Sequence, residues 1–316
     1  MGRYIAAKLV HLAVVMLLVT LATFALLDLM PGGPEYAIAG PEATPAEIAK
    51  VKHDYGLDDP FVVRYGRWLG DALHGDLGRS FRDNHPVADE LVARLPVTFE
   101  LALLAMIVGL VIAVPLGIMQ AYRSRKPSDK ALSFGATLVV SVPQFLLAVI
   151  LVAVFAVRLG WFPTSGLARI TEDGLWANLR SLALPAITLG LAEAAVLSQV
   201  LRADMIGTLG EDYILSARAK GMPTTNVLFR QALRPSSFSL LTLAAISAGR
   251  LLGGAVVIEV LFGLPGIGKM MVDAISTGEV IKVQAGVLVI ATIYVVLNAL
   301  TDVMYGVLDP RVRDAR

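Results

Sequence analysis

Gly263, Gly268 and Lys269 stand in the register of a phosphate-cradling loop, G-x-x-x-x-G-K, within Phe262-Gly263-Leu264-Pro265-Gly266-Ile267-Gly268-Lys269. Met270 follows where that loop needs a Ser or Thr hydroxyl for magnesium, and no strand pattern precedes it. The stretch therefore reads as a tight turn that its glycines permit, not as a nucleotide site. Of the four histidines (His11, His53, His74 and His85), none forms H-E-x-x-H, and no G-x-S-x-G elbow occurs. His53, Asp54, Asp58 and Asp59 are types that bind metal, yet in so hydrophilic a stretch they read as a solvated acidic face. Cysteine is absent, which excludes disulfides, Cys-based zinc sites, iron–sulfur clusters and thiol catalysis. No catalytic residues and no cofactor or metal site are assigned to this chain.

Two ionisable residues remain that solvent does not explain. Glu193 and Arg250 each lie 11 or 12 residues inside the ends of long apolar runs. At about 1.5 Å per residue this is roughly 17 Å deep, near the middle of a bilayer. Either one unpaired costs at least about 2.5–3.5 kcal/mol there. They can pair with each other, or each can meet water or a partner subunit separately. Asp28, Glu100, Glu259 and Asp302 lie nearer the ends of such runs, where a side chain reaches the interface.

The runs that must position this pair number six: 9–29, 97–121, 132–157, 182–201, 236–262 and 284–308. Each has at least 20 residues, enough to span about 30 Å of hydrocarbon. The composition agrees. Of 316 residues, 56% are hydrophobic and 17% charged, with mean hydropathy +0.70. Soluble domains carry roughly 25% charged residues. Disorder, collagen and coiled coil are excluded by the same composition, and a net charge of +1 gives no hint of nucleic acid. The first run, at 21 residues, exceeds the roughly 7–15 of a signal-peptide core and reads as a retained span.

Orientation follows from Lys and Arg. Segments 1–8, 122–131, 202–235 and 309–316 hold 14 basic residues in 60 positions; 30–96, 158–181 and 263–283 hold 12 in 112. The denser set is expected inside, with both termini. The expected fold is thus an all-α membrane protein with six transmembrane helices. Its parts are 1–29 (N-terminus and first span), 30–96 (a small helical extracytoplasmic segment), 97–308 (a core with the second to sixth spans) and 309–316 (a cytoplasmic tail). In 30–96, Thr44-Pro45-Ala46-Glu47 is a capping box, Asp59-Pro60 opens a second helix through Trp68 and Leu73, and Pro86 opens a third through Leu95. Within the cytoplasmic loop 202–235, Met205 to Lys220 reads as one helix, stopped by Gly221 and Pro223. Its small residues and flanking Arg218, Lys220, Arg230 and Arg234 suit a partner's groove or an anionic lipid surface equally.

One resemblance decides between these. Glu211-Asp212-Tyr213-Ile214-Leu215-Ser216-Ala217-Arg218-Ala219-Lys220-Gly221-Met222-Pro223, then Phe229-Arg230-Gln231-Ala232-Leu233-Arg234-Pro235, resembles the EAA loop of ABC-importer permeases of the dipeptide/oligopeptide family. Leu57-Asp58-Asp59-Pro60, Trp68-Leu69-Gly70 and Gly75-Asp76-Leu77-Gly78-Arg79-Ser80 are similar to that family's extracytoplasmic segment. Glu259, Phe262, Pro265, Gly266 and Gly268 are similar to its motif after the fifth span, and Asp302-Val303-Met304-Tyr305 with Leu308-Asp309-Pro310-Arg311 to its ending. The layout is that of the first of the two permeases in such systems. The resemblance implies a permease of the bacterial or archaeal cytoplasmic membrane, without enzymatic activity of its own. It implies a heterodimer with a second permease, two ATPase subunits that hold ATP and magnesium, and an extracytoplasmic solute-binding protein. It assigns ATPase contact to Asp212, Tyr213, Ala217, Ala219, Lys220 and Gly221. Glu193 departs from the small or uncharged residue expected there. Two alternatives stay open: the same machinery for nickel, glutathione or another small solute, or a self-sufficient secondary transporter, although no inverted repeat is evident.

Overall fold

Proline and glycine punctuate the helices. The computed structural model describes residues 2–28, 33–40, 43–54 and 56–308. In chain order these form α1 (Gly2–Asp28), α2 (Pro34–Ala39), α3 (Pro45–Asp54), α4 (Phe61–Leu73), α5 (Val87–Tyr122), α6 (Pro127–Ser141) and α7 (Gln144–Leu151, continued by π-type turns over Val152–Arg158). Then come α8 (Ile170–Asp173), α9 (Leu175–Leu209), α10 (Asp212–Ala219), α11 (Thr224–Asn226), a π-type segment Val227–Ala232, α12 (Leu233–Phe262), α13 (Ile267–Thr277) and α14 (Val280–Leu308). No strand occurs among the described residues, only an isolated antiparallel bridge between Arg79 and Pro86. Four stretches are long and apolar enough to cross a membrane: Val87–Tyr122, Leu175–Leu209, Thr224–Phe262 and Val280–Thr301. A fifth arises if α6 and α7 with its continuation are one broken span. In α1 the described apolar stretch, Leu12–Ala25, is shorter than a crossing.

Three boundaries differ from expectation. The third run is not one straight helix: its halves meet at 103°. Val142, before Pro143, is extended (φ −83°, ψ 126°), the conformation that proline favours in the residue preceding it, and the helix restarts at Gln144. The helix expected from Pro86 to Leu95 does not end; it continues unbroken to Tyr122, so the boundary at 96/97 falls inside α5. Met205 to Lys220 is two helices, because the chain turns at Gly210 and Glu211 before α10 starts. The tail 309–316 lies outside the described residues, as do the side chains of Asp28 and Asp302.

The chain divides into two compact units, 1–98 with 265–299, and 99–264 with 300–316. In the first, α4 packs on α1 through rings: Phe24 lies 5.4, 5.6 and 5.7 Å from Phe61, Tyr65 and Trp68, and Tyr65 Oη shares a 2.8 Å hydrogen bond with Thr20. The capping box forms as read: Thr44 N–H donates to Glu47 Oε2 at 2.7 Å and Glu47 N–H to Thr44 Oγ1 at 3.4 Å. The Thr44 amide bond holds the Glu47 carboxyl below its usual range. Val87, Leu91, Ile267, Met270 and Ala285 make a buried core. Buried Glu279 accepts from Ser80 Oγ (2.9 Å) and the Arg82 amide (3.1 Å), and Lys282 Nζ reaches Glu90 at 3.1 Å.

In the second unit, α5 and α9 meet along a seam of glycines. A Cβ on Gly190 would stand 2.7 Å from the Ala105 carbonyl oxygen, and one on Gly117 3.0 Å from that of Ser198. Only small residues let two backbones approach this closely, which is how helices associate where lipid gives no hydrophobic drive. Ala113, Ile118, Leu197, Leu201, Met205 and Val227 fill the core that continues from this seam.

Candidate functional site

The first candidate surface is built on α10. Glu211 is extended (φ −71°, ψ 147°) and its carbonyl accepts the first helical bonds, from Ile214 and Leu215. After Lys220 the chain leaves the helix through Gly221, whose φ is +77°. Gly221 N–H donates to the Arg218 carbonyl (2.9 Å) and Met222 N–H to that of Ala217 (3.2 Å), a glycine C-cap that L-residues resist. Ile214 is the one fully buried side chain of α10 and joins the core containing Met205 and Val227. The other face is open. Asp212, Tyr213, Leu215, Ser216, Arg218, Ala219, Lys220 and Gly221 are exposed and Ala217 is half-buried. Phe229 is exposed beside this stretch in sequence. The two halves of the loop are tied by Tyr213: Pro235 supplies no N–H to the Gln231 carbonyl, and Tyr213 Oη donates to that oxygen at 3.4 Å.

Leu215 adds apolar area to the open face of α10, and Phe229, in the segment Val227–Ala232, is exposed as well. Asp129 and Arg202 form a bidentate pair, Nε to Oδ1 and Nη2 to Oδ2, both at 2.7 Å, with Asp129 buried. The Arg125 amide adds a third bond to Asp129 at 3.1 Å. This pair fastens the start of α6 to α9 one helical turn before Met205.

The second candidate lies deep in α9 and α12. Arg250 Nη2 is 3.1 Å from Glu193 Oε2, 3.3 Å from Oε1 and 2.8 Å from Ser247 Oγ. Glu193 is buried with its side chain 10% exposed, whereas that of Arg250 is 52% exposed. Gly109 makes room for the carboxylate: a Cβ there would approach Glu193 Cβ to 3.3 Å. Ser247, three residues before Arg250 on one helix face, was missed in the sequence.

The third set ends α12. Glu259 and Phe262 are buried, Gly263 is left-handed (φ 63°), and Leu264 N–H donates to the Glu259 carbonyl at 2.8 Å. Gly166 N–H caps the Phe262 carbonyl at 2.8 Å. Beyond Pro265, Gly266 is the extended N-cap of α13, in which Gly268 is buried. Lys269 Nζ pairs with Asp273 at 2.6 Å in the same helix.

Residues 113–314 match the family model described as the binding-protein-dependent transport system inner membrane component, and residues 1–102 match the model of its N-terminal part. The chain is 41% identical over 300 residues, 95% of each chain, to a Brucella abortus protein assigned as a peptide transport system permease. It is 35% identical over 332 residues, 99% of this chain and 100% of the other, to the dipeptide transport system permease protein DppB of Alkalihalophilus pseudofirmus. It is 33% identical over 314 residues, 99% of both, to the glutathione transport system permease protein GsiC of Escherichia coli.

Proposed function

This chain belongs to the family of binding-protein-dependent transport system inner membrane components, and we propose that it is the permease subunit of an ATP-driven importer of di- or oligopeptides. It is a multi-pass membrane protein of helices alone among its described residues. In this reading α1 and the broken α6–α7 complete six spans, and both termini face the cytoplasm, the side richer in Lys and Arg. A second permease completes the pathway and two ATPase subunits bind ATP and magnesium. A solute-binding protein delivers cargo to the opposite side, against 30–96 and 263–283. The chain itself catalyses nothing. Closure of the ATPases moves the loop 202–235, and rigid-body rearrangement opens the pathway.

The carrying observation is α10: one buried residue, Ile214, anchors a short capped helix whose remaining face is exposed. Asp212, Tyr213, Ala217, Ala219, Lys220 and Gly221 are the residues that would enter an ATPase groove. Small residues permit close approach there, and Arg218 and Lys220 can meet acidic groups. The relative named for glutathione favours a second reading, the same machinery with that solute. The test is a pull-down from detergent-solubilised membranes of the native host with mass spectrometry. Recovery of a second permease and ATPase subunits supports the assembly, and a captured binding protein identifies the cargo. A chain that purifies alone and still transports is a secondary carrier, and the proposal fails.

A further inference from the structure

The open face of α12 carries a charge where lipid tolerates none. Ile246, Arg250, Gly253, Val257 and Val260 recur at three or four residues and are all exposed, so they form one stripe. Arg250 stands within it, near the middle of the span. Glu193 balances it from the inner side, yet the Arg250 side chain stays 52% exposed on the stripe, where hydrocarbon gives its remaining N–H groups no acceptor. A polar group facing the stripe at Arg250 would satisfy these donors. Among the described residues, the hydrogen bonds of the guanidinium run through Nη2, to Glu193 and Ser247. Nη1 and Nε make no hydrogen bond among the described residues, and the side chain is 52% exposed. One turn along, a Cβ on Gly253 would meet nothing within 4 Å, so space beside the guanidinium is open. Glu193 is buried behind Arg250, so the ion pair presents its positive end to the stripe.

We propose that Arg250 binds the terminal carboxylate of a peptide in transit, with Glu193 and Ser247 as positioning residues that hold Nη2 and leave Nη1 to the ligand. This rests on the peptide reading above. A charge-assisted N–H···O⁻ bond is among the stronger hydrogen bonds of proteins, and its loss is expected to cost about tenfold in selectivity. A guanidinium presents several fixed donors where an ammonium is one point charge, so lysine should replace it only in part.

The experiment uses the complete transporter, with its second permease, ATPases and binding protein, in proteoliposomes. Uptake of trialanine and of its C-terminal amide is compared at saturating liganded binding protein, whose affinity for each is measured separately. In the wild type the acid-to-amide uptake ratio, corrected for that affinity, exceeds one. Arg250→Gln lowers this ratio about tenfold, and Arg250→Lys lowers it less. An unchanged ratio in Arg250→Gln, or a fall of both peptides in equal proportion, overturns the proposal, since a merely structural arginine gives one of those two. If the wild-type assembly imports peptides but shows no preference, this proposal alone fails. If it imports neither, the peptide reading fails and takes the proposal with it.

Discussion

Gly221→Asp separates the folding of the α10 cap from its use. The residue sits at φ +77°, and a left-handed L-residue costs about 1–2 kcal/mol, with Asp at the lower end. A Cβ there would meet no atom within 4 Å, so no steric term is added. The loss of about 1 kcal/mol is too small to unfold the loop, which Ile214 anchors independently. What changes is the surface. A carboxylate now stands at the end of a face expected to be buried against a partner. An unpaired charge buried there costs about 3 kcal/mol or more, over a hundredfold in docking. Membrane levels of the variant should match wild type, while uptake and the ATPase stimulation caused by liganded binding protein disappear. Gly221→Ala adds similar backbone strain without charge and should keep most of the coupling. Wild-type coupling in Gly221→Asp refutes the surface assignment. Equal loss in Gly221→Ala refutes the electrostatic reasoning and leaves cap geometry as the cause.

Ile214→Ala removes the anchor of α10; at about 2–5 kcal/mol for a buried Ile truncated to Ala, it should lower the thermal midpoint of the purified complex and uncouple ATP hydrolysis from uptake. Asp129→Ala strands Arg202 and should destabilise the complex by about 3 kcal/mol, read by the same melt, whereas Asp129→Ala with Arg202→Ala should recover part of that loss. Exchange of the deep pair, Glu193→Arg with Arg250→Glu, should yield more assembled transporter than either reversal alone; no such rescue means that the 3.1 Å contact contributes nothing. Cysteines placed at Thr44 and Ala219 of this naturally cysteine-free chain should react with a membrane-impermeant maleimide from opposite sides in oriented vesicles, and same-side labelling would overturn the assigned topology.

Local chemistry was legible in the sequence wherever one residue type has one use. The Thr44–Glu47 box, the Asp59-Pro60 start of α4 and the glycine stop at Gly221 depend on nearest neighbours, and the pattern states them in full. Length of an apolar run was a poorer guide, because it counts carbon and ignores direction. The run 132–157 is apolar throughout, yet Pro143 turns it by 103°. Likewise the polar residues before Val97 gave no sign that α5 runs on from Val87, since a helix can leave a membrane without ending. The depth of Glu193 and Arg250 followed from counting residues. Their distance depends on how α9 crosses α12, and the glycines that let α5 approach α9 are informative only once their partners are known. The Asp129–Arg202 pair is separated by 73 residues and has no local signature.

Besides the Glu193–Arg250 pair, α9 and α12 share a second polar bond, Thr208 Oγ1 with Ser236 Oγ at 3.0 Å. It lies some fifteen residues from the ion pair on α9 and nearly as far on α12, or about 22 Å along either helix. The two bonds make a pair of scissors, with a pin at one end and a clasp towards the middle. Opening the blades by about 5° around the pin separates the clasp by roughly 2 Å over that arm. The 3.1 Å contact must then part unless the two side chains follow, while the pin scarcely moves. The geometry therefore converts an angular displacement too small to disturb packing at the loop end into the making or breaking of one ion pair in the membrane's interior.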